Sequence, residues 1–286
     1  RWQALLAPIE RVKLQDTIAA SAVGFGAIFV LGRAGEVARP LVLSLRTKLR
    51  PTATVATILI ERIFDMSAVV VLFAANLLVF DLPPEKVASI GLLRQQRLLG
   101  GLMLLGVSVG IGILVLLRLR AALVLRLVER LFGWLPRKLL LAITNLVQHL
   151  ADGLSVLLNV RELIVTLLST ALVWLLVCSA TWLTLAAFSL YYSAGQVIFI
   201  LGFGLVGSLV PTPGGSAGAY HAAAGKGLDF LGVESNLAGA IALALHLVSF
   251  GAPFILGLFY VARDGIGFGK LREMIAREQM EVKQAH

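Results

Sequence analysis

Long apolar runs separated by short basic stretches are the main pattern along this chain. A helix needs about 20 mainly apolar residues to cross the hydrocarbon core of a bilayer. Residues 98–117, 163–188 and 236–262 form runs of at least that length. Residues 51–80 form a longer run whose inner part carries Glu61, Arg62 and Asp65. The pattern predicts an all-α fold, a polytopic bundle of transmembrane helices.

Two more apolar segments are interrupted and do not fit as simple spans. Residues 14–45 are broken by the glycines and charges of residues 32–39, and residues 196–232 by the sequence PTPGGSAG at residues 211–218. Each is predicted to be a re-entrant hairpin of two half-helices, the first entering from the cytoplasm and the second from outside. Such paired interruptions point to an inverted repeat and to a transporter site near the bilayer midplane.

Lysine and arginine are concentrated in residues 33–50, 118–161 and 263–286. Because cytoplasmic loops carry an excess of these residues, we expect the three segments in the cytoplasm and residues 81–97 and 189–195 outside. The chain is therefore predicted to be a multi-pass protein of the cell membrane with a cytoplasmic C-terminus. It forms one membrane domain, with repeat-like halves at residues 1–117 and 162–262, a linker at 118–161 and a tail at 263–286.

The linker has an amphipathic pattern. Basic and apolar side chains alternate at helical spacing over residues 121–160, as in helices that lie on a membrane surface. We expect one or two interfacial helices with a joint near Pro136, whose basic face favours anionic lipid headgroups. A solvated connector is the alternative.

Composition excludes an ordinary soluble domain. The chain is 58% hydrophobic and 14% charged, with a mean hydropathy of +0.91, whereas soluble domains are about 45–50% apolar and about 25% charged. The net charge of +9 is spread over short loops, so we expect no nucleic-acid partner. Cys178 is the single cysteine, and the sequence contains no soluble-enzyme signature. We therefore expect no catalytic residue, no metal and no cofactor.

Candidate chemistry at the first break lies in GRAGEVARP, residues 32–40. A helix is expected to start near Gly35, with Glu36 in its first turn. A lipid phosphate could then lie between Arg33, Arg39 and free backbone N–H groups. The alternative, that these are ordinary loop charges, is our interpretation of Arg46, Lys48 and Arg50.

Candidate chemistry at the second break begins with Pro213, which with Pro211 ends the preceding half-helix. Gly214 and Gly215 supply turn geometry, and Ser216 is expected to cap the following half-helix, whose N-terminus would attract anions. A tight extracellular turn is the alternative.

Ionisable groups also occur inside the apolar runs, where charge is costly and often functional. Glu61 and Asp65 share a helix face beside Arg62, as an ion pair that holds the inner hairpin or as a proton-coupling carboxylate. Alternatively they lie near the cytoplasmic end of the helix. His221 and His246 could titrate near neutral pH, or be structural.

Four motifs resemble the lysylphosphatidylglycerol synthase transmembrane-region family, also called flippase-like domain proteins. They are Arg1-Trp2 with Leu5-Leu6, GRAGEVARP at residues 32–40, ERIFD at 61–65 and PTPGG at 211–215. The resemblance implies a polytopic domain with two oppositely inserted broken segments. It implies no aminoacyl transfer, because the family's soluble synthase domain has no counterpart here. Family members usually carry one or two spans before the arginine-tryptophan motif, so we expect this sequence to lack those spans.

The resemblance also implies a function, because family members are associated with moving aminoacylated phospholipids, hopanoid or isoprenoid lipids, or lipid-linked sugars. Many members carry Glu where Tyr220 stands and a small residue where His221 stands, so a role of that Glu is not carried over. We expect a translocator of a phospholipid, an isoprenoid lipid or a lipid-linked glycan, with membrane lipids, anionic lipids or lipid-linked sugars as its partners. The alternatives are a membrane-embedded lipid-modifying transferase that uses Glu36, Glu61 or Asp65, and an anchor for a soluble synthase or glycosyltransferase. The candidate headgroup residues are Arg33, Gly35, Glu36, Arg39, Glu61, Arg62, Asp65, Pro213, Gly214, Gly215, Ser216, Tyr220, His221 and His246.

Overall fold

The fold is built from helices. The computed structural model describes residues 1–7, 9–47, 49, 51–79, 90–134, 136–137, 139–140, 143–144, 160–210 and 212–265. Within these residues no strand occurs, so the predicted all-α class is confirmed. In chain order the elements are α1 (Trp2–Leu6), α2 (Leu14–Leu31), a 3-10 segment (Gly32–Val37), α3 (Ala38–Arg46), α4 (Pro51–Val79), α5 (Ile90–Leu119), α6 (Ala121–Phe132), α7 (Val160–Ala187), α8 (Ala194–Gly207), α9 (Pro213–Phe230), α10 (Ser235–His246), a π-helical turn (Leu247–Gly251) and α11 (Ala252–Asp264).

The chain divides into two compact units. The first contains Arg1–Arg11, Val55–Ser179 and Tyr192–Phe199, and the second contains Val12–Thr54, Ala180–Tyr191 and Ile200–His286. Both interrupted segments contribute most of their residues to the second unit, which therefore holds both candidate breaks. The predicted division into two repeat halves stays a prediction.

Among the described residues, two helical stretches are long and apolar enough to cross a membrane. They are α7 and the continuous stretch Ser235–Asp264, which runs through α10, the π-helical turn and α11. These stretches confirm membrane-length helices at the runs predicted for residues 163–188 and 236–262. Helices α4 and α5 are continuous over the other two predicted runs. That they cross the bilayer stays a prediction.

Helix α7 has the surface of a helix that faces lipid. Leu168 and Leu175 are 67% and 63% exposed, whereas Thr166, Thr170 and Thr181 are buried. A stripe of small hydroxyl side chains therefore points inward and the large aliphatic side chains point outward. Lipid-facing bundles favour this arrangement, because helices pack through small residues and lipid tails solvate leucine.

Close packing of α2 against α11 forms the centre of the second unit. A Cβ atom added to Gly257 would lie 2.7 Å from the carbonyl oxygen of Ala22 and 3.1 Å from the Cα atom of Gly26. Backbones approach this closely only where both helices carry small residues. Helix α9 packs against α2, α10 and the 3-10 segment.

The first interruption is present where it was predicted, but its helix start was wrong. Helix α2 ends at Leu31, and an α-helix resumes only at Ala38. Glu36 therefore lies in the 3-10 segment and not in the first turn of an α-helix. Insertion of this segment from the cytoplasm, and of the second interruption from outside, stays a prediction.

The predicted interfacial helix is described only in part. Helix α6 covers Ala121–Phe132, and most of the remaining linker lies outside the described residues. Exposed leucines at positions 123, 127 and 131 lie at helical spacing beside Arg126 and Arg130. The contact with the membrane surface stays a prediction, and so does the cytoplasmic position of residues 263–286.

Candidate functional site

The first break brings the backbone close to α2. Gly32, at φ 60°, ends α2, and a Cβ atom added to Gly35 would lie 2.3 Å from the carbonyl carbon of Ala27. Only glycine fits at position 35 without displacing the backbone of α2. Glu36 is half-buried in the 3-10 segment. Of Arg33 the structure describes the backbone and not the side chain.

Arg39 is the largest fully buried side chain of the described residues, at 1% exposure. It lies in the first turn of α3, and its Cζ atom is 5.1 Å from the ring centroid of Phe25 on α2. A guanidinium group at this distance from an aromatic face gains a cation–π attraction, which is larger in a desolvated site. Arg39 is therefore held as a buried cation beside the first break.

The second break is a left-handed turn. Gly214, Gly215 and Ser216 have φ values of 74°, 65° and 64°, and we call these three residues the left-handed turn. Such φ values cost little at glycine but strain serine. Pro213 begins α9 and is exposed, whereas Gly215 and Ser216 are buried.

Ser216 stabilises this turn in a way that sequence analysis did not predict. Its Oγ atom donates hydrogen bonds to the carbonyl oxygens of Val210 (2.6 Å) and Ser208 (3.2 Å). These carbonyls lie beyond the end of α8, so Ser216 ties the turn back to the preceding half-helix. The predicted cap, in which the hydroxyl accepts from the N–H groups of the following helix, was wrong.

His246 holds the left-handed turn from the other side. It is 2% exposed, and its Nε2 atom lies 3.1 Å from the carbonyl oxygen of Gly215. The imidazole also lies near Phe29, with ring centroids 6.1 Å apart. Phe29 is three residues before Gly32, where the first break begins. Phe29 thus reaches from the end of α2 to the histidine that contacts the second break.

One face of α2 connects the two breaks. Phe25 and Phe29 are four residues apart, so they lie on the same helix face about one turn from each other. Arg39 lies over Phe25, and His246 lies beside Phe29. A buried cation from the first break and a buried imidazole at the second break therefore lie along the same face. Sequence analysis named Arg39 and His246 but not Phe25 or Phe29.

Tyr220 and His221 complete the cluster around His246. Their ring centroids are 5.3 Å and 4.8 Å from that of His246. The Tyr220 hydroxyl lies near the side chain of Ser249 in the π-helical turn. Gly204 makes room for the tyrosine, because a Cβ atom there would lie 2.9 Å from its ring.

A second set of candidate residues lies in the first unit. Arg1 donates to Glu61 (2.6 Å) and Asp65 (2.5 Å), and Arg62 lies 3.4 Å from both carboxylates. Two arginines and two carboxylates form a neutral group, which is how charges are tolerated in an apolar segment. Burial disfavours the charged form of Arg1, but the hydrogen bonds and charges of Asp65 and Glu61 outweigh it and raise the pKa of Arg1.

This ion-pair group explains why two distant motifs occur together. Trp2 donates its indole N–H to the Thr57 hydroxyl at 3.0 Å, one helical turn from Glu61. The arginine-tryptophan motif therefore docks on the helix that carries ERIFD. The sequence pattern offered an ion pair with the inner hairpin or a proton-coupling carboxylate, and both roles stay predictions; within the first unit the carboxylates bind Arg1 and Arg62. Two acids in an apolar run were the signal that a cation had to lie nearby.

Arg46 was wrongly interpreted as an ordinary loop charge. It donates to Asp16 at 2.9 Å and to Asp264, so it ties together the start of α2, the end of α3 and the end of α11. Partial burial disfavours its charged form, but both carboxylates favour it and raise the pKa of Arg46. Arg46 has a structural role in the second unit.

Membrane-length helices, apolar outer faces and buried ion pairs are features of integral membrane domains. The chain belongs to the lysylphosphatidylglycerol synthase transmembrane-region family, whose sequence model matches residues 1–257. No curated protein and no solved structure matches the chain. Membership confirms the resemblance and assigns the chain a membrane function related to lipids.

Proposed function

We propose that this chain translocates a lipid with an anionic headgroup, of the phospholipid, isoprenoid lipid or lipid-linked glycan class. The observation that carries the proposal is the common face of α2, along which Arg39 lies over Phe25 and His246 lies beside Phe29. A headgroup phosphate that reached this face would meet a guanidinium group, the preferred partner of phosphate in proteins. The tail of the lipid would stay in the bilayer.

The closed surroundings of Arg39 are consistent with an occluded state. At 1% exposure Arg39 meets a headgroup only when neighbouring segments separate. Two irregular turns supply hinges for such a movement, the left-handed turn and the π-helical turn. Irregular turns of this kind are frequent at functional sites. Re-entrant insertion of both breaks, with rocking of two halves, would give alternating access.

Flipping in proteoliposomes tests the proposal. The probes are phosphatidylglycerol with a fluorescent tail label, phosphatidylcholine with the same label, and a polyprenyl phosphate; access of a membrane-impermeant quencher reports the leaflet. We expect faster movement of an anionic probe than in empty vesicles, and a loss of about tenfold or more in Arg39→Gln, in keeping with one lost charge-assisted contact.

Two variants serve as matched controls. Arg39→Lys retains the positive charge but loses the planar guanidinium group that can bind phosphate with two hydrogen bonds, so it should retain part of the flipping activity. Arg126→Gln removes an exposed arginine of α6 and should leave the rate unchanged. Rates equal to those of empty vesicles for every probe would reject translocation. A covalently altered lipid, detected by mass spectrometry, would favour the transferase alternative, and a co-purified soluble enzyme with no flipping would favour the anchor.

A further inference from the structure

His246 is enclosed by rings from three directions. Phe29 on α2, Tyr220 on α9 and Phe250 in the π-helical turn have ring centroids 6.1, 5.3 and 4.9 Å from that of the imidazole. Aromatic faces attract cations, and the attraction is larger where water is excluded. A positive charge on His246 would therefore lie among aromatic rings.

The hydrogen bond to Gly215 defines where the protons are. A carbonyl oxygen only accepts, so Nε2 of His246 carries a hydrogen in either charge state. A further proton goes to Nδ1, and the resulting imidazolium donates a stronger bond to the Gly215 oxygen. The charge state of His246 therefore determines how firmly the left-handed turn is held.

His221 limits the pair to one proton. Its ring lies 4.8 Å from that of His246 at an interplanar angle of 81°. Two positive charges at this separation repel strongly in a water-poor site, so protonation of one ring opposes protonation of the other. The Nε2 atom of His221 is buried and has no hydrogen-bond partner among the described residues, so in the neutral tautomer with its hydrogen on Nδ1 it can accept a proton.

The elements around the pair carry several other ionisable residues. These are Asp16, Arg33, Glu36, Arg39, Arg46, Tyr220, Lys226, Asp229, Glu234, Tyr260, Arg263 and Asp264. Asp16 and Asp264 bind Arg46, Asp229 lies near Lys226, and Glu234 caps α10. Among the described residues no carboxylate is hydrogen-bonded to either histidine. Glu61 and Asp65, the other candidate proton carriers, are paired with arginines in the first unit.

We propose that His221 and His246 form a proton-binding site that takes up one proton as a pair and couples it to the left-handed turn. The proton comes from the aqueous phase and resides on Nδ1 of His246 or on Nε2 of His221. On His246 it strengthens the bond to Gly215 and holds the second break closed. Loss of the proton, or its transfer to His221, weakens that bond and frees the turn to move. The coupling part rests on the proposed translocation, and the proton-binding part does not.

The number of protons that the two histidines bind can be measured without a transport assay, and this number tests the proposed site. The full chain, carrying His149→Gln and His286→Gln to leave two imidazoles, is labelled with 15N-histidine and titrated in nanodiscs from about pH 8 to about pH 5, the range in which histidine changes charge. Over this titration we expect the parent to take up one proton per chain. Each further variant, His221→Gln or His246→Gln, should also take up one proton per chain. Uptake of two protons by the parent, or of none, would overturn the proposal.

A pH jump in proteoliposomes tests the coupling. The labelled phosphatidylglycerol probe should move about fivefold or more faster at about pH 7.5 than at about pH 5.5, because the neutral pair releases the turn. In His246→Gln the ratio of the two rates should fall to about one, whatever the absolute rate. An unchanged ratio would overturn the coupling. Absence of flipping in the parent at both pH values would reject translocation and its coupling, while a count of one proton would still support the site.

Discussion

Gly24 leaves the space that the Arg39 side chain fills. A Cβ atom at position 24 would lie 2.0 Å from Cγ of Arg39, far inside van der Waals contact. The next residue on α2 is Phe25, whose ring lies under the guanidinium group. The two adjacent residues thus have separate functions: one admits the aliphatic part of the arginine, and the other contacts its charge.

Replacing Gly24 by alanine should therefore displace Arg39. Because Arg39 is fully buried it cannot move aside freely, and overpacking of a closed core costs about 1–3 kcal/mol of unfolding free energy. We expect a lower Tm and, if the proposed function is correct, a loss of flipping that resembles Arg39→Gln. Thermal unfolding in detergent and the proteoliposome assay measure the two effects.

Gly101→Ala is the matched control for Gly24→Ala. Gly101 is also a helical glycine, but no described residue has an atom within 4 Å of a Cβ atom added there. Alanine at position 101 should leave the stability of the protein unchanged or raise it by about 0.5–1 kcal/mol, because glycine is the poorer helix former. Equal losses in the two variants would show that helix propensity, and not the Arg39 contact, determines the effect.

The two glycines of the left-handed turn should respond differently to alanine. Both have positive φ, which costs roughly 1–2 kcal/mol for a residue with a Cβ atom. At Gly215 the new Cβ atom would also lie 2.9 Å from the Phe250 ring, whereas at Gly214 the nearest atom is Ala217 Cβ at 3.3 Å. We expect Gly215→Ala to lower the Tm and the flipping rate more than Gly214→Ala. The reverse order would contradict the packing of His246 and Phe250 on the turn.

The sequence predicted the features that depend on local pattern and missed those that depend on contacts between distant residues. An uninterrupted apolar run was sufficient to predict α7, because length and composition alone determine whether a helix can span the bilayer. The π-helical turn was not predicted, although Pro253 just after it is a physical cause: proline has no N–H to donate, and the helix adjusts its hydrogen bonding there. Arg39 and Arg46 have the same side chain two turns apart on α3, and only the packed structure distinguishes their partners.

Ser216 combines strain with hydrogen bonding, and two substitutions separate the contributions. Ser216→Ala removes both bonds to the carbonyl groups and retains the strained φ, so it should cost about 1–3 kcal/mol. Ser216→Gly removes the same bonds but relieves about 1–2 kcal/mol of strain. Glycine should therefore be the milder change in thermal unfolding. A larger loss with glycine would mean that strain at this position is not relieved by removing the Cβ atom.

Arg1 binds two buried carboxylates, which predicts that losing Arg1 alone is worse than losing Arg1 together with both carboxylates. Arg1→Gln leaves Glu61 and Asp65 buried at 3% and 8% side-chain exposure and removes the closer of the two arginines beside them. Removing one partner of a buried ion pair costs about 3–5 kcal/mol. The triple variant Arg1→Gln, Glu61→Gln, Asp65→Asn removes both buried carboxylates and keeps Arg62, whose side chain is 28% exposed, so its Tm should lie above that of Arg1→Gln. If instead Glu61→Gln kept the Tm of the parent but abolished flipping, the carboxylate would be part of the transport cycle and not a structural ion pair.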